Sequence, residues 1–90
     1  MVNIKKGDGT FFVEEGGATI AELHFIPSGE DRLIADHTHV SEELQGQGIG
    51  EALVKRMVEF AREEGKKLIP SCPFVKAQID RHKEYQDILA

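Results

Sequence analysis

The first half of the chain alternates between apolar and polar positions with the period of a β-strand. Thr10–Glu14, Ala18–Ile26 and Arg32–Val40 read as strands, separated by turn signals at Glu15-Gly16-Gly17 and Pro27–Asp31. One face of the second strand is clearly more apolar and is expected to meet the core: Thr19, Ala21, Leu23 and Phe25. This half therefore predicts an antiparallel meander, preceded by Met1–Lys6 as a short edge strand or a tail.

From Ile49 onward the apolar period becomes that of a helix. The stripe consists of Ile49, Leu53, Met57, Phe60 and Ala61, widened by Val54 and Val58. We expect this helix to run to about Glu64, because Gly65 is a typical stop. Lys66–Ser71 then reads as a short strand, and a crossover of this length favours its parallel pairing with Arg32–Val40.

The C-terminal residues predict one more helix and a packed tail. Pro73 suits the first turn of a helix that spans Phe74 to about His82, and apolar residues near the end indicate that the tail packs back. The expected fold is α/β (α+β in some schemes): a meander extended by one parallel strand, with a crossover helix and a C-terminal helix. From the length of the chain, we expect all 90 residues to form one domain.

Composition narrows the classes of function. The net charge of −5 argues against non-specific binding to nucleic acid or to an anionic membrane surface. No apolar run approaches the length of a membrane span, and the start of the chain lacks a signal-peptide core. A single cysteine, Cys72, cannot form an internal disulfide. We expect a cytoplasmic monomer.

The glycine loop, Leu44–Gly50, is the strongest candidate for a binding site. Three glycines at alternate positions precede a helix N-terminus, where free N–H groups and the helix dipole favour an anion, most often phosphate. Gln45 can add a side-chain amide to the rim of this nest. The spacing excludes a P-loop, since no lysine follows Gly50, and a dinucleotide fingerprint, since Glu51 stands at its third glycine. The alternative is a glycine-rich turn without a ligand.

The spacing Gln-x-x-Gly-x-Gly, formed by Gln45, Gly48 and Gly50, resembles the acyl-CoA pyrophosphate loop of the GNAT superfamily of N-acetyltransferases. Asp36–Val40, the glycine loop, Ile69–Phe74 and Tyr85-Gln86-Asp87 follow one another in the order found in the small, single-domain GNAT-like acetyltransferases. The resemblance covers Ile34–Asp87. The chain differs from ordinary GNAT proteins in lacking two helices between the first strands, which usually build the wall of the amine site.

The resemblance implies a transfer of acetyl from acetyl-CoA, the co-substrate, to an unidentified amine. The implied coenzyme-binding residues are His39, Val40, Gln45, Gly46, Gln47, Gly48, Ile49, Gly50, Cys72 and Phe74. Val40 would donate its backbone N–H to the thioester oxygen; otherwise this group is an ordinary ladder amide. No metal is expected, because His37 and His39, which share a strand face, have no third ligand nearby in the sequence.

Three residues are candidates for catalysis. Cys72, at a helix start, is an acyl-accepting nucleophile, an acid for the leaving thiolate, or a packing residue; direct attack by the amine ranks above an acyl-cysteine route. His37 is either the general base or a structural histidine. Tyr85 is either the acid for the thiolate or part of a packing clamp. Two other functions stay open: a non-catalytic acyl-CoA-binding module and a protein-interaction domain.

Overall fold

The computed structural model describes residues 3–90, which form a five-stranded sheet in the order β1-β2-β3-β4-β5 with helices against it. The strands are β1 (Lys5–Gly7), β2 (Thr10–Glu15), β3 (Ala18–Ser28), β4 (Arg32–Val40) and β5 (Lys67–Pro70). The helices are α1 (Ile49–Glu63) and α2 (Pro73–Arg81), and 3-10 turns cover Glu42–Leu44 and Lys83–Ile88. The predicted fold class is confirmed.

The meander and the crossover have the predicted pairing. Neighbouring strands from β1 to β4 are antiparallel, and β4 pairs with β5 in parallel. The edge strand predicted within Met1–Lys6 forms at Lys5–Gly7, while positions 1 and 2 lie outside the described residues. Strand β3 extends two residues further than expected, to Ser28, so the second turn is shorter. No helix in the described part is long and apolar enough to cross a membrane.

Both helices pack on a single face of the sheet. The buried strand residues alternate with exposed or half-buried ones and all share that face: Phe11, Val13, Ala21, Leu23, Phe25, Leu33, Ala35 and Leu68. Helix α1 covers them with its predicted stripe, of which Phe60 alone is only partly buried. The opposite face, which we call the open face, has no buried residue in strands β2–β5. One face of the sheet packs against the helices and the other faces solvent, which explains why buried and exposed residues alternate along the strands.

The chain end is tied to α1 and β5, as the apolar tail predicted. Tyr85 and Ile88 are buried in the 3-10 turn. Arg62 of α1 donates from Nε and Nη2 to the two carboxylate oxygens of Asp87, at 3.2 and 2.7 Å, and also bonds the Glu84 carbonyl. Gln86 donates to the Ile79 carbonyl at 2.7 Å. The Tyr85-Gln86-Asp87 segment therefore forms a clamp on the helices.

A β-bulge in β4 decides which of its side chains face the core. His24 pairs with His37 and Phe25 pairs with Ala35, so Asp36 is an extra residue. Directly paired residues share a sheet face. Thr38, paired with buried Leu23, therefore lies on the core side, whereas His37 lies on the open face. Without the bulge, these two side chains would change places.

Candidate functional site

The glycine loop forms an open backbone nest at the start of α1. Gly46 and Gly48 have positive φ angles of 85° and 78°, and a Cβ atom at either position would meet no atom within 4 Å. Gly50 differs, because a Cβ there would come within 2.7 Å of the Phe74 ring. The first two glycines thus leave space in front of the loop, while the third allows α2 to pack closely against α1.

Amide groups at this helix start are available for an anion. The first helical hydrogen bond runs from the Ala52 N–H to the Gly48 carbonyl at 3.0 Å. The N–H groups of Ile49, Gly50 and Glu51 precede it and have no acceptor within the helix. Together with the helix dipole, they favour a phosphate-like group. Glu51 lies in the same first turn and lines the cavity, so its negative charge opposes this preference.

A cavity of about 460 Å³ runs from this nest to strand β4. Its lining includes seven of the residues expected to bind coenzyme: Val40, Gln45, Gly46, Gly48, Ile49, Gly50 and Phe74. Three further lining residues, Thr38, Leu44 and Glu51, were not among those expected. Three expected residues lie outside it. His39 lies on the open face of the sheet. Gln47 donates a hydrogen bond from its side-chain amide to the Glu43 carbonyl. Cys72 contacts Thr38 but does not itself line the cavity.

The end of β4 presents backbone groups to this cavity. The β4–β5 ladder stops at Ala35–Pro70, but β4 continues to Val40, so Asp36–Val40 form a free edge on that side. The Ser41 N–H bonds the Ile20 carbonyl of β3 at 2.8 Å. Because successive residues of a strand point their amides in opposite directions, the Val40 N–H points to the free edge. Gln45 Nε2 bonds the Val40 carbonyl there at 3.3 Å and ties the loop to the strand.

Cys72 is the N-cap residue of α2 and is buried beside the cavity. Its N–H bonds the Ala35 carbonyl at 3.0 Å, and its Sγ lies 3.6 Å from Oγ1 of Thr38. Burial opposes ionisation, but the hydrogen bonds that the thiolate can accept from the Val75 amide, the Thr38 hydroxyl and the Phe74 amide outweigh it, so the pKa of Cys72 lies below its ordinary value of 9.0. The thiol is therefore more readily ionised than an ordinary cysteine.

Tyr85 opens into a second cavity, of about 560 Å³, between α1 and the C-terminal turn. This cavity shares Gly48 and Glu51 with the first. Burial and the neighbouring carboxylates of Glu84 and Glu59 raise the pKa of Tyr85 above its ordinary value of 10.0. The phenol is thus protonated at neutral pH and able to donate a proton.

The histidines of β4 are separated from the loop. His37 and His39 share one face, as predicted, but it is the open face of the sheet. His24 was not among the candidate residues, yet its Nδ1 lies 2.7 Å from Oδ1 of Asp36. Only the pairing register and the bulge bring these two residues together. Within residues 3–90, no group of three or more His, Cys, Asp or Glu side chains is arranged to hold a metal ion.

Comparison with known proteins gives consistent results. The family model described as "GCN5-related N-acetyl-transferase" matches residues 10–88. The chain is 34% identical over 65 residues to N-acetyltransferase 8B of Rattus norvegicus, a match that covers 67% of this chain and 29% of the rat protein. It therefore spans under a third of the curated relatives that it matches.

Two solved structures illustrate the similarity of fold. The solution structure of a GCN5-like candidate N-acetyltransferase from Staphylococcus aureus superposes with a TM-score of 0.82 at 37% identity, covering 99% of this chain and 88% of that one. A GNAT family acetyltransferase from Elizabethkingia anophelis superposes with a TM-score of 0.63 at 20% identity, covering 84% and 51%. With the family model matching most of its length, this chain belongs to the GCN5-related N-acetyltransferase (GNAT) family.

Proposed function

We propose that this chain transfers the acetyl group of acetyl-CoA to a primary or secondary amine, by direct attack of the amine on the thioester. The observation that carries the proposal is the continuity of one cavity. An open anion nest at Gly46 and Gly48 lies at one end, and the free edge of β4 with Cys72 behind it lies at the other. Membership of the GNAT family supports this reading.

The cavity accommodates the two functional ends of an acyl-CoA in the required order. Its pyrophosphate would accept hydrogen bonds from the amides at the start of α1, where an added side chain would block it at Gly46 or Gly48. Its pantetheine arm would lie along the free edge of β4 and pair with exposed backbone groups. The thioester oxygen would then accept the Val40 N–H, which stabilises the negative charge that develops on it during attack.

The transfer also needs an acid for the CoA thiolate. Cys72 is the first candidate, since it lies next to Thr38 at the β4 end of the cavity. Tyr85 is the second candidate, because its phenol is protonated at neutral pH. It ranks behind Cys72 because it lines the neighbouring cavity and not the proposed coenzyme cavity. His37 is a candidate base for the amine and would act from the open face. Phe74 completes the proposed coenzyme site by forming its wall over Gly50, whereas His39 and Gln47 lie outside the cavity.

A second function, an acyl-CoA-binding module without catalysis, is favoured by one observation. The open face beside β4 carries no helix in the described part of the chain, so no wall encloses an acceptor amine. A turnover assay distinguishes the two functions. Free CoA release is measured with acetyl-CoA and a panel of polyamines, lysine peptides and small alkylamines. Amine-dependent release supports the transferase, whereas CoA binding without release for every amine supports the binding module.

A further inference from the structure

A row of three isoleucines crosses the open face of the sheet. Ile26 of β3 pairs with Ile34 of β4, and Ile34 pairs with Ile69 of β5, so the three side chains lie side by side. Ile26 and Phe74, at 42% and 38%, are the exposed large apolar side chains of the described residues. Phe74 lines the proposed coenzyme cavity, but Ile26 has no place in the proposed function. We infer that a second copy of this chain packs on this row in solution.

Opposite charges lie at equal distances from the centre of the row. Along β4, Arg32 comes two residues before Ile34 and Asp36 comes two residues after it, so each lies roughly 7 Å from Ile34. Both are on the open face, since Arg32 precedes the buried Leu33 and Asp36 contacts His24 there. We call Arg32, Asp36 and the three isoleucines the isoleucine patch. The patch therefore has a positive end, an apolar centre and a negative end.

This order of charges makes the patch complementary to itself. A two-fold axis that lies between two stacked faces, along the isoleucine row, reverses the strand direction of the second copy. Each isoleucine then faces its own copy, and Arg32 of either copy faces Asp36 of the other. A two-fold axis parallel to the strands would instead place Arg32 opposite Arg32, where like charges repel each other. The charges thus favour the first of the two arrangements.

The charged side chains of the patch are available for such contacts. Stacked sheets lie about 10 Å apart, a gap that a long arginine and a short aspartate side chain can bridge from opposite sides. The ion pairs within residues 3–90 do not include Arg32. Asp36 uses Oδ1 for its contact with His24 at 2.7 Å, which leaves Oδ2 as an acceptor. Lys67, the β5 neighbour of Arg32, adds to the positive end.

The size of the patch determines how tightly two copies bind. Three strands, over the length from Arg32 to Asp36, measure roughly 14 by 17 Å. This is well below the roughly 800 Å² per partner of a standard interface, so the dimer should be weak, with a dissociation constant between roughly 10 μM and 1 mM. The monomer expected from the sequence is then the form at low concentration. The glycine loop lies on the helix side of the sheet, so it stays accessible in both copies.

Sedimentation equilibrium across this concentration range tests the inference, without acetyl-CoA or an amine and so independently of the proposed function. The wild-type chain should form dimers at the upper end. Arg32→Asp and Asp36→Arg each place like charges opposite each other and should weaken association by at least about tenfold. Ile26→Ser, at an exposed position, removes apolar contact area and should weaken it as well. A wild-type chain that stays monomeric throughout would overturn the inference and leave the patch to a different partner.

An equimolar mixture of Arg32→Asp and Asp36→Arg gives the sharpest result. Between these two variants both contacts are attractive again, so the mixture should associate about as strongly as the wild type although neither variant does so alone. Mixing would not repair a misfolded chain, so recovery shows that the two positions face each other. Arg81→Asp makes the same charge change at an exposed position of α2 and should associate like the wild type. Undiminished association of Arg32→Asp, Asp36→Arg and Ile26→Ser, or no recovery in a mixture of folded variants, would overturn the inference.

Discussion

The Sγ atom of Cys72 lies 3.6 Å from the Oγ1 atom of Thr38, joining the start of α2 to the free edge of β4. The thiol donates to the hydroxyl oxygen, and on ionisation the hydroxyl can rotate and donate to the thiolate. Thr38 also lines the loop cavity, which Cys72 does not. Thr38 therefore contacts both the cavity and the thiol.

The first prediction concerns this contact. Thr38→Val keeps the shape of the side chain but removes a hydrogen bond that lowers the pKa of Cys72. The pKa of the thiol should rise, so the thiolate fraction at neutral pH should fall and alkylation by iodoacetamide should slow. The measurement is the alkylation rate as a function of pH. Thr38→Ser keeps the hydroxyl and serves as control; equal rates in all three proteins would remove Thr38 from this role.

The second prediction concerns the open space at the loop. Gly48→Val should weaken CoA binding by at least about tenfold, because a β-branched side chain would fill the space proposed for the pyrophosphate. Isothermal calorimetry with CoA measures the effect. Gly16→Val is a matched control, since Gly16 also has a positive φ, 59°, and open surroundings, but lies in the β2–β3 turn. Both variants introduce the same backbone strain. Equal losses of CoA affinity would therefore contradict the proposal that the glycine loop binds the pyrophosphate.

The third prediction concerns Glu51. Its carboxylate lines the cavity at the helix start, where it would repel a bound pyrophosphate. Glu51→Gln should tighten CoA binding by about two- to fivefold at low ionic strength. The gain should shrink as salt is added, because salt screens the repulsion. Calorimetry at two salt concentrations tests this, and weaker binding in the variant would show instead that Glu51 contributes to the coenzyme site.

The fourth prediction concerns the clamp at the chain end. The hydrogen bonds from Arg62 lower the pKa of Asp87 below its ordinary value of 3.8. Because the pKa of Asp87 is lower in the folded state than in the unfolded state, the ionised carboxylate stabilises the fold at any pH above its unfolded-state pKa. This stabilisation is lost as the pH falls through the folded-state pKa. Asp87→Asn should thus lower the thermal midpoint at neutral pH, and its difference from wild type should vanish well below pH 3.8.

A control for the clamp is available within α2. Asp80→Asn removes a carboxylate that pairs with Lys76 at 2.7 Å inside a single helix. Because such exposed i,i+4 pairs contribute only about 0.3–0.5 kcal/mol, this variant should change the midpoint little. Asp87 instead connects the C-terminal turn to α1 and β5. If Asp80→Asn lowers the thermal midpoint as much as Asp87→Asn does, the clamp contributes no more to stability than an ordinary surface ion pair.

The sequence predicted the elements well, because local patterns determine them. The stripe from Ile49 to Ala61 and the stop at Gly65, whose φ is 66°, were read from helical period and turn chemistry. The site was predicted less completely. Nothing in the alternation of β4 marks Asp36 as a bulged residue, yet the bulge puts Thr38 into the cavity and His37 on the open face. The His24–Asp36 contact depends on the register between two strands, which a single sequence does not fix.

The central claim is that the glycine loop and the free edge of β4 form one site for CoA, and amide chemical-shift mapping tests it most directly. On titration with CoA, the largest changes should fall on the amides of Val40, of residues 45–51 and of Cys72. Changes on the open face should be small, because the proposed CoA site lies on the helix side of the sheet. Changes confined to the open face, or to the cavity around Tyr85 with the glycine loop unaffected, would contradict the account.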